Sequence, residues 1–194
     1  MKQIALATLV GALVSFTWGF VSWMGLSWHG DEMKKFTDEA AVAAVIRMNT
    51  PEPGFYALPN RVTLPKNARI DEIKEAADKH QNALNEGPAL YATIRPQAKL
   101  IDMSHNLLLS FARSVFAALL MAILLSMTSS LDYLQRIGFC SIVGLFVGVG
   151  ADVQQLVWFE APLRFTLVNG LDHVAEWFIS GLAIAGIVKG RDNL

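Results

Sequence analysis

Four long apolar runs constrain this chain more than any other feature of its sequence. They cover about residues 4–28, 106–127, 137–158 and 170–189. A bilayer's hydrocarbon core is about 30 Å thick, and a helix of about 20 residues crosses it. The first run is too long for the core of a signal peptide. The pattern predicts an α-helical membrane protein with four transmembrane helices: one N-terminal anchor followed by a three-helix unit.

The composition agrees with a membrane protein. The chain is 53% hydrophobic and 17% charged, with a mean hydropathy of +0.38, which is too apolar for an ordinary soluble domain. Its formal net charge of −1 provides no field that would recruit nucleic acid. The partners expected from composition are therefore the lipid bilayer and other membrane proteins, or further copies of this chain.

The polar segment between the first two runs predicts a small folded domain, since it is too long to be a simple linker. Thr37 is expected to cap a first helix, and a second helix is expected over about 71–85. Residues 55–58 and 90–94 resemble short strands, each followed by a proline. The segment is thus predicted to be an α+β domain. Because two strands alone are marginal, we expect it to pack on the membrane helices or on a partner.

The short loops predict the orientation of the chain. Basic residues favour the cytoplasmic side, whereas long loops are exempt from this rule. If the four runs alternate, four basic residues share one side, and Arg164 lies in the short loop opposite; the four are Lys2, Arg136, Lys189 and Arg191. We expect both termini to be cytoplasmic, with an anchor over 1–28, an extracytoplasmic domain over 29–105 and a three-helix unit over 106–194.

Small residues recur every four positions in three of the runs, and this spacing forms a narrow stripe along a helix. Such stripes let helices approach closely, so they predict helix-packing faces. Their members are Ser110, Ser114 and Ala118 in the second run, Cys140, Gly144 and Gly148 in the third, and Gly181 and Ala185 in the fourth.

Ionisable residues of three different runs fall at one depth. At a rise of about 1.5 Å per residue, Arg113, Asp152 and Glu176 each lie about 9–10 Å from the outer end of their runs. Gln155 is one turn above Asp152. The structural hypothesis is a buried polar layer in which Arg113 pairs with Asp152 or Glu176, because charge in hydrocarbon must be compensated.

A second hypothesis uses the surplus of carboxylates in this layer. An excess acid in a site of low dielectric constant would hold a proton or a cation. His173 and Glu176 are three residues apart on one helix face, so with Asp152 they form a candidate metal site. No cofactor is required by the sequence, although a metal ion fits this second hypothesis.

No sequence motif of a known enzyme class accompanies these residues. There is no glycine-rich phosphate loop, no Gly-x-Ser-x-Gly elbow and no paired-cysteine metal motif. The leading hypothesis is therefore a non-enzymatic membrane protein, an accessory or assembly subunit of a larger membrane complex. The alternative is a small metal- or proton-handling membrane protein that uses Asp152, His173 and Glu176.

Three segments resemble a group of small uncharacterised bacterial inner-membrane proteins. Residues 16–29 are similar to the group's tryptophan-rich first helix, although Ser27 stands where that helix has a proline before Trp-His. Residues 54–59 match its Gly-x-Tyr-x-Leu-Pro segment, and 172–183 resemble its last helix. The resemblance covers about a third of the chain. It implies the same layout and a bacterial inner-membrane location, and it implies no activity.

Overall fold

The structure is a computed structural model that describes residues 2–97, 102–128 and 130–189. The chain divides into two compact units. The first unit is drawn from residues 1–34 and 101–194, and the second from residues 35–100. Each unit is described by itself below.

Four long helices build the first unit. Asp102 and Asp132 accept backbone N–H bonds at the starts of the second and third of them, as N-cap residues do. The helices are α1 (Lys2–Phe20), α4 (Met103–Ser126), α5 (Tyr133–Phe159) and α6 (Leu163–Ile187).

Three helices in the described part of the chain are long and apolar enough to cross a membrane. They are Lys2–Gly25, Met103–Ser126 and Tyr133–Phe159. This confirms a mostly helical protein with three of the four predicted candidate spans. The fourth helix, α6, has 25 residues but carries Asp172, His173 and Glu176 in its middle, and these lower its mean hydropathy.

Two helices differ from their predicted form. α6 begins at Leu163 rather than near Gly170, and Pro162 is its N-cap residue. Proline is well tolerated at a helix start, where its missing N–H needs no partner. At the other end of the sequence, α1 runs into a π-helical turn over Val21–Gly25, so the first run is not a regular helix throughout.

α1 lies between α4 and α6, and α5 packs mainly on α6. The first unit therefore contains α1 together with the other three long helices. Gly11 explains the central place of α1, since a Cβ there would lie 2.6 Å from Ile184 Cδ1 of α6 and 3.2 Å from Ala118 Cβ of α4.

The small residues of α5 and α6 allow these two helices to approach closely. A Cβ at Gly144 would lie 2.5 Å from the carbonyl oxygen of His173, and one at Gly148 would lie 3.0 Å from Gly170 Cα. A Cβ at Gly181 would come within 2.9 Å of Cys140 Cβ. Side chains at these positions would push the helices apart, because the neighbouring atoms are mostly backbone.

The small residues of α4 are not all buried. Ser114 and Ala118 are buried, as is Ala185 on α6. Ser110, one turn before Ser114, is exposed and does not belong to a packing face. The stripe therefore begins one turn later than the spacing predicts.

The second unit contains two helices and a two-stranded antiparallel sheet, in the predicted order helix, strand, helix, strand. Its elements are α2 (Glu39–Asn49), β1 (Gly54–Leu58), α3 (Ile70–Glu86) and β2 (Leu90–Ile94). The strand register runs from the pair Gly54 and Ile94 to the pair Leu58 and Leu90. Asp38 caps α2 through a 2.9 Å bond from Ala41 N, so the predicted cap at Thr37 is off by one residue.

Candidate functional site: a polar cluster and cavity among α1, α4 and α6

The carboxylate of Glu176 is the centre of the first polar cluster. Arg113 Nη1 of α4 donates to its Oε1 at 3.1 Å, and Ser15 Oγ of α1 donates to the same oxygen at 2.5 Å. The hydroxyl oxygens of Ser15 and Ser114 are 3.3 Å apart. Only 7% of the Glu176 side chain is exposed, against 57% for Arg113. One buried acid thus joins three helices through a charged partner and a hydroxyl.

Asp172, one turn earlier on α6, is the centre of the second cluster. Its Oδ1 accepts hydrogen bonds of 2.8 Å from Trp18 Nε1 and from Ser22 Oγ. Its Oδ2 lies 3.3 Å from His29 Nε2. Because α6 starts at Leu163, Asp172 lies inside the helix, and its carboxylate contacts the end of α1 and the residues that follow it.

The group Ser22, His29 and Asp172 contains the residue types of a nucleophilic triad but not its geometry. In a triad, one imidazole nitrogen takes the serine proton and the other donates to the carboxylate. Here His29 meets both Ser22, at 3.1 Å, and Asp172 through the same atom, Nε2. Ser22 also donates its proton directly to Asp172 and is fully buried. These bonds fix the chain after α1 and do not activate a nucleophile.

Two tryptophans enclose His29. The ring of Trp23 stacks on the imidazole at a centroid distance of 4.0 Å and an interplanar angle of 2°, and the ring of Trp28 meets it edge-on at 5.5 Å. Trp28 Nε1 also donates to the backbone oxygen of Ser22 at 3.1 Å. The aromatic side chains at the end of the first run therefore pack on a histidine.

The remaining members of the predicted polar layer lie elsewhere. Asp152 of α5 pairs with His173, with 3.4 Å between Oδ2 and Nε2, and not with Arg113. Gln155 is exposed. The layer thus separates into an Arg113–Glu176 pair and an Asp152–His173 pair.

The predicted metal ligands do not converge. Asp152 and His173 are close to each other, but Glu176 is bonded to Arg113 and Ser15. Within residues 2–97, 102–128 and 130–189, no group of three or more His, Cys, Asp or Glu side chains is arranged to hold a metal ion.

A cavity of about 580 Å³ opens beside the two clusters. Arg113, Asp172, His173 and Glu176 contribute its charged or ionisable wall. Aromatic and aliphatic side chains contribute the rest, including Phe16, Phe20, Trp23, Met24 and Leu107. The cavity therefore offers both polar groups and an apolar lining within one helical unit.

Sequence reasoning missed the contribution of α1 to this site. Four residues of this run, Ser15, Trp18, Ser22 and His29, contact the carboxylates of α6. None of the four belongs to the polar layer that the sequence predicts. The signal was present in the small residues Ala7, Gly11 and Ser15, which recur every four positions. That stripe predicts a packed helix rather than a peripheral anchor.

The fold and the site together define a small, mostly helical protein with three helices that are apolar enough to cross a membrane and a polar cavity between its helices. Comparison with protein-family models, with curated proteins and with solved structures gave no match to this chain.

Proposed function

We propose that this chain is a non-enzymatic integral membrane protein of the bacterial inner membrane, and that it acts as an accessory or assembly subunit of a larger membrane complex. The proposal includes four membrane-crossing helices, cytoplasmic termini and an extracytoplasmic second unit. The observation that carries it is the apolar surface of the second unit.

Thr50 is the one residue that is buried among the described residues of that unit. Large apolar side chains are instead exposed on both helices, on the strands and in a loop; they include Val45, Met48, Leu58, Val62, Ile70, Ile73 and Leu90. Domains of about this size are marginal even when they bury a full core. A unit without a buried core needs a further surface to cover its apolar side chains. An accessory subunit obtains that surface from its partner.

A groove of about 920 Å³ gives this surface a shape. The apolar face of α2 forms one wall through Val42, Val45 and Ile46, and the sheet forms the other through Leu58 and Leu90. Contiguous apolar surface of this kind marks a site of protein–protein or membrane interaction. Its position between a helix and a strand pair supports a protein segment as the occupant.

Metal or proton handling is the second candidate function. It retains only the Asp152–His173 pair as a support, because Glu176 is engaged by Arg113 and Ser15. Stoichiometric metal in purified protein, lost in Asp152→Asn, would favour it over the accessory role.

The proposal is tested by affinity purification of the full chain from its native membrane, with partner proteins quantified. Val45→Glu places a charge in the groove, and Val62→Glu places the same charge on an exposed valine outside it. We expect a protein in fixed molar ratio to the wild-type chain, depleted about tenfold by Val45→Glu, or about 1.4 kcal/mol of binding, and unchanged by Val62→Glu. Equal recovery with both variants, or no partner at fixed ratio, would contradict the proposal.

A further inference from the structure

The guanidinium of Arg113 has binding capacity that the protein does not use. It offers five N–H donors, and among the described residues it makes only the bond from Nη1 to Glu176. More than half of its side chain is exposed, and it faces the cavity. An arginine within a membrane-crossing segment is costly, so unused donors there indicate a ligand.

The charge on the cavity wall restricts what that ligand can be. Arg113 provides one cation, and Asp172 and Glu176 provide two carboxylates, while the imidazole of His173 is paired with Asp152. A purely anionic group would meet both carboxylates, and a purely cationic group would meet the guanidinium. A ligand that carries both a phosphate and an ammonium fits this wall. Arginine binds phosphate through paired N–H donors, and the ammonium can face the two carboxylates.

The rim of the cavity indicates what this ligand is attached to. Phe20 is 60% exposed and Met24 is 73% exposed, and Trp23 and Leu107 beside them are also exposed. Side chains of this kind belong against acyl chains when the helices cross a bilayer. The cavity therefore has a polar wall and an apolar rim, as a lipid with a polar headgroup requires.

We propose that the cavity among α1, α4 and α6 binds the headgroup of a zwitterionic phospholipid, with the phosphate on Arg113 and the ammonium facing Asp172 and Glu176. The shared chemistry is a phosphate ester that carries an amine. A phospholipid is the source that the apolar rim favours over a soluble phosphate ester. The inference rests on the proposed membrane insertion, and it is independent of any protein partner.

Gly19 supplies a variant that fills the cavity without altering a charge. It lines the cavity, and a Cβ there would have no neighbour within 4 Å. Gly19→Leu should therefore obstruct the headgroup, and its Cβ would not clash with a neighbouring helix. Gly150→Leu is its matched control, because Gly150 on α5 is equally open and lies outside the cavity lining.

The experiment is a titration of the purified full chain in mild detergent, followed by native mass spectrometry. The probes are phosphatidylethanolamine, phosphatidylglycerol, a dialkylammonium lipid without phosphate, and free phosphoethanolamine without acyl chains. We expect phosphatidylethanolamine to bind about tenfold more tightly than each of the others. Gly19→Leu should weaken that binding about tenfold, and Gly150→Leu should leave it unchanged.

The double variant Arg113→Gln, Glu176→Gln removes the charge pair without leaving an unpaired buried carboxylate. It should bind phosphatidylethanolamine and phosphatidylglycerol equally weakly. This result tests the proposal independently, so the proposal remains testable if Gly19→Leu fails to fold. Equal binding of all lipids to the wild-type chain, full binding by Gly19→Leu, or free phosphoethanolamine as the tightest ligand would overturn the proposal. The absence of a co-purifying protein would not change these lipid-binding results. The experiment therefore tests the lipid site independently of the proposed role as an accessory subunit.

Discussion

At the scale of single residues, Glu176 decides how the helices of the first unit are held together. It is nearly fully buried, and its Oε1 accepts from Arg113 and from Ser15. Removing one partner of a buried ion pair is costly because the other charge remains without compensation. Arg113 and Glu176 should therefore be energetically coupled.

Arg113→Ala should lower the free energy of unfolding by about 2 kcal/mol, since a charged hydrogen bond is lost and a carboxylate is left buried. Glu176→Gln in the same chain should restore part of that loss. The measurement is a double-mutant cycle of thermal unfolding in mild detergent. Asp152→Asn is the control, because Asp152 pairs with His173 and should restore nothing. Additive costs of Arg113→Ala and Glu176→Gln would contradict the coupling.

The sequence predicts the depth of Arg113, Asp152 and Glu176, but not which of them face each other. Depth follows from counting residues along a helix, whereas facing depends on how each helix is rotated and on which helices are neighbours. Because α1 lies between α4 and α6, Arg113 reaches Glu176, and Ser15 of α1 joins them. Asp152 on α5 pairs with His173 instead, although its depth along its run is the same as that of Arg113.

At the scale of elements, the contact between α5 and α6 depends on glycine. A Cβ at Gly144 would meet the backbone oxygen of His173, which cannot move without shifting α6. The small-residue stripe of α5 was predicted from spacing alone, and its three members are buried in this contact. Spacing is informative here because a four-residue repeat places side chains on one helix face whatever the partner is.

Gly144→Ala should lower the unfolding free energy by about 1–3 kcal/mol through overpacking. Gly150→Ala is the matched control on the same helix, since its Cβ would meet nothing within 4 Å. Both variants gain helix propensity of about 1 kcal/mol, so their difference isolates the steric cost. Thermal unfolding of both proteins in one detergent provides the comparison. Equal stability of the two variants would show that α5 and α6 do not pack at Gly144.

The boundaries of α6 were harder to predict than its existence. A proline can interrupt the chain between two helices, and it stands equally well at the start of a helix, as Pro162 does before α6. Local sequence does not separate these two uses. The earlier start adds two turns to α6 and brings Asp172 from a helix end into the middle of the helix.

At the scale of the whole molecule, α6 distinguishes the proposed four membrane crossings from three. Three helices are apolar enough to cross on composition, and α6 carries its polar residues in the middle. Most of these polar groups have partners: Asp172 bonds to Trp18 and Ser22, and Glu176 bonds to Arg113. Compensation of this kind allows a helix to cross despite its lower hydropathy.

Reporter fusions should therefore place residue 60 outside the cytoplasm and residue 189 inside it. Four crossings put both termini on the cytoplasmic side, whereas three crossings put the C-terminal fusion on the outer side. Alkaline phosphatase and fluorescent-protein fusions at the two positions provide complementary signals. A C-terminal fusion with the outer signal would show that α6 does not cross.

The proposed role as an accessory subunit is tested most directly by the mass of the native particle. The chain has a mass of 21.3 kDa. We predict that native mass spectrometry of protein expressed at its natural level, released from the membrane in mild detergent, shows it bound to a different protein at a fixed ratio. A particle of one 21.3 kDa chain, carrying only lipid and detergent, would contradict that role.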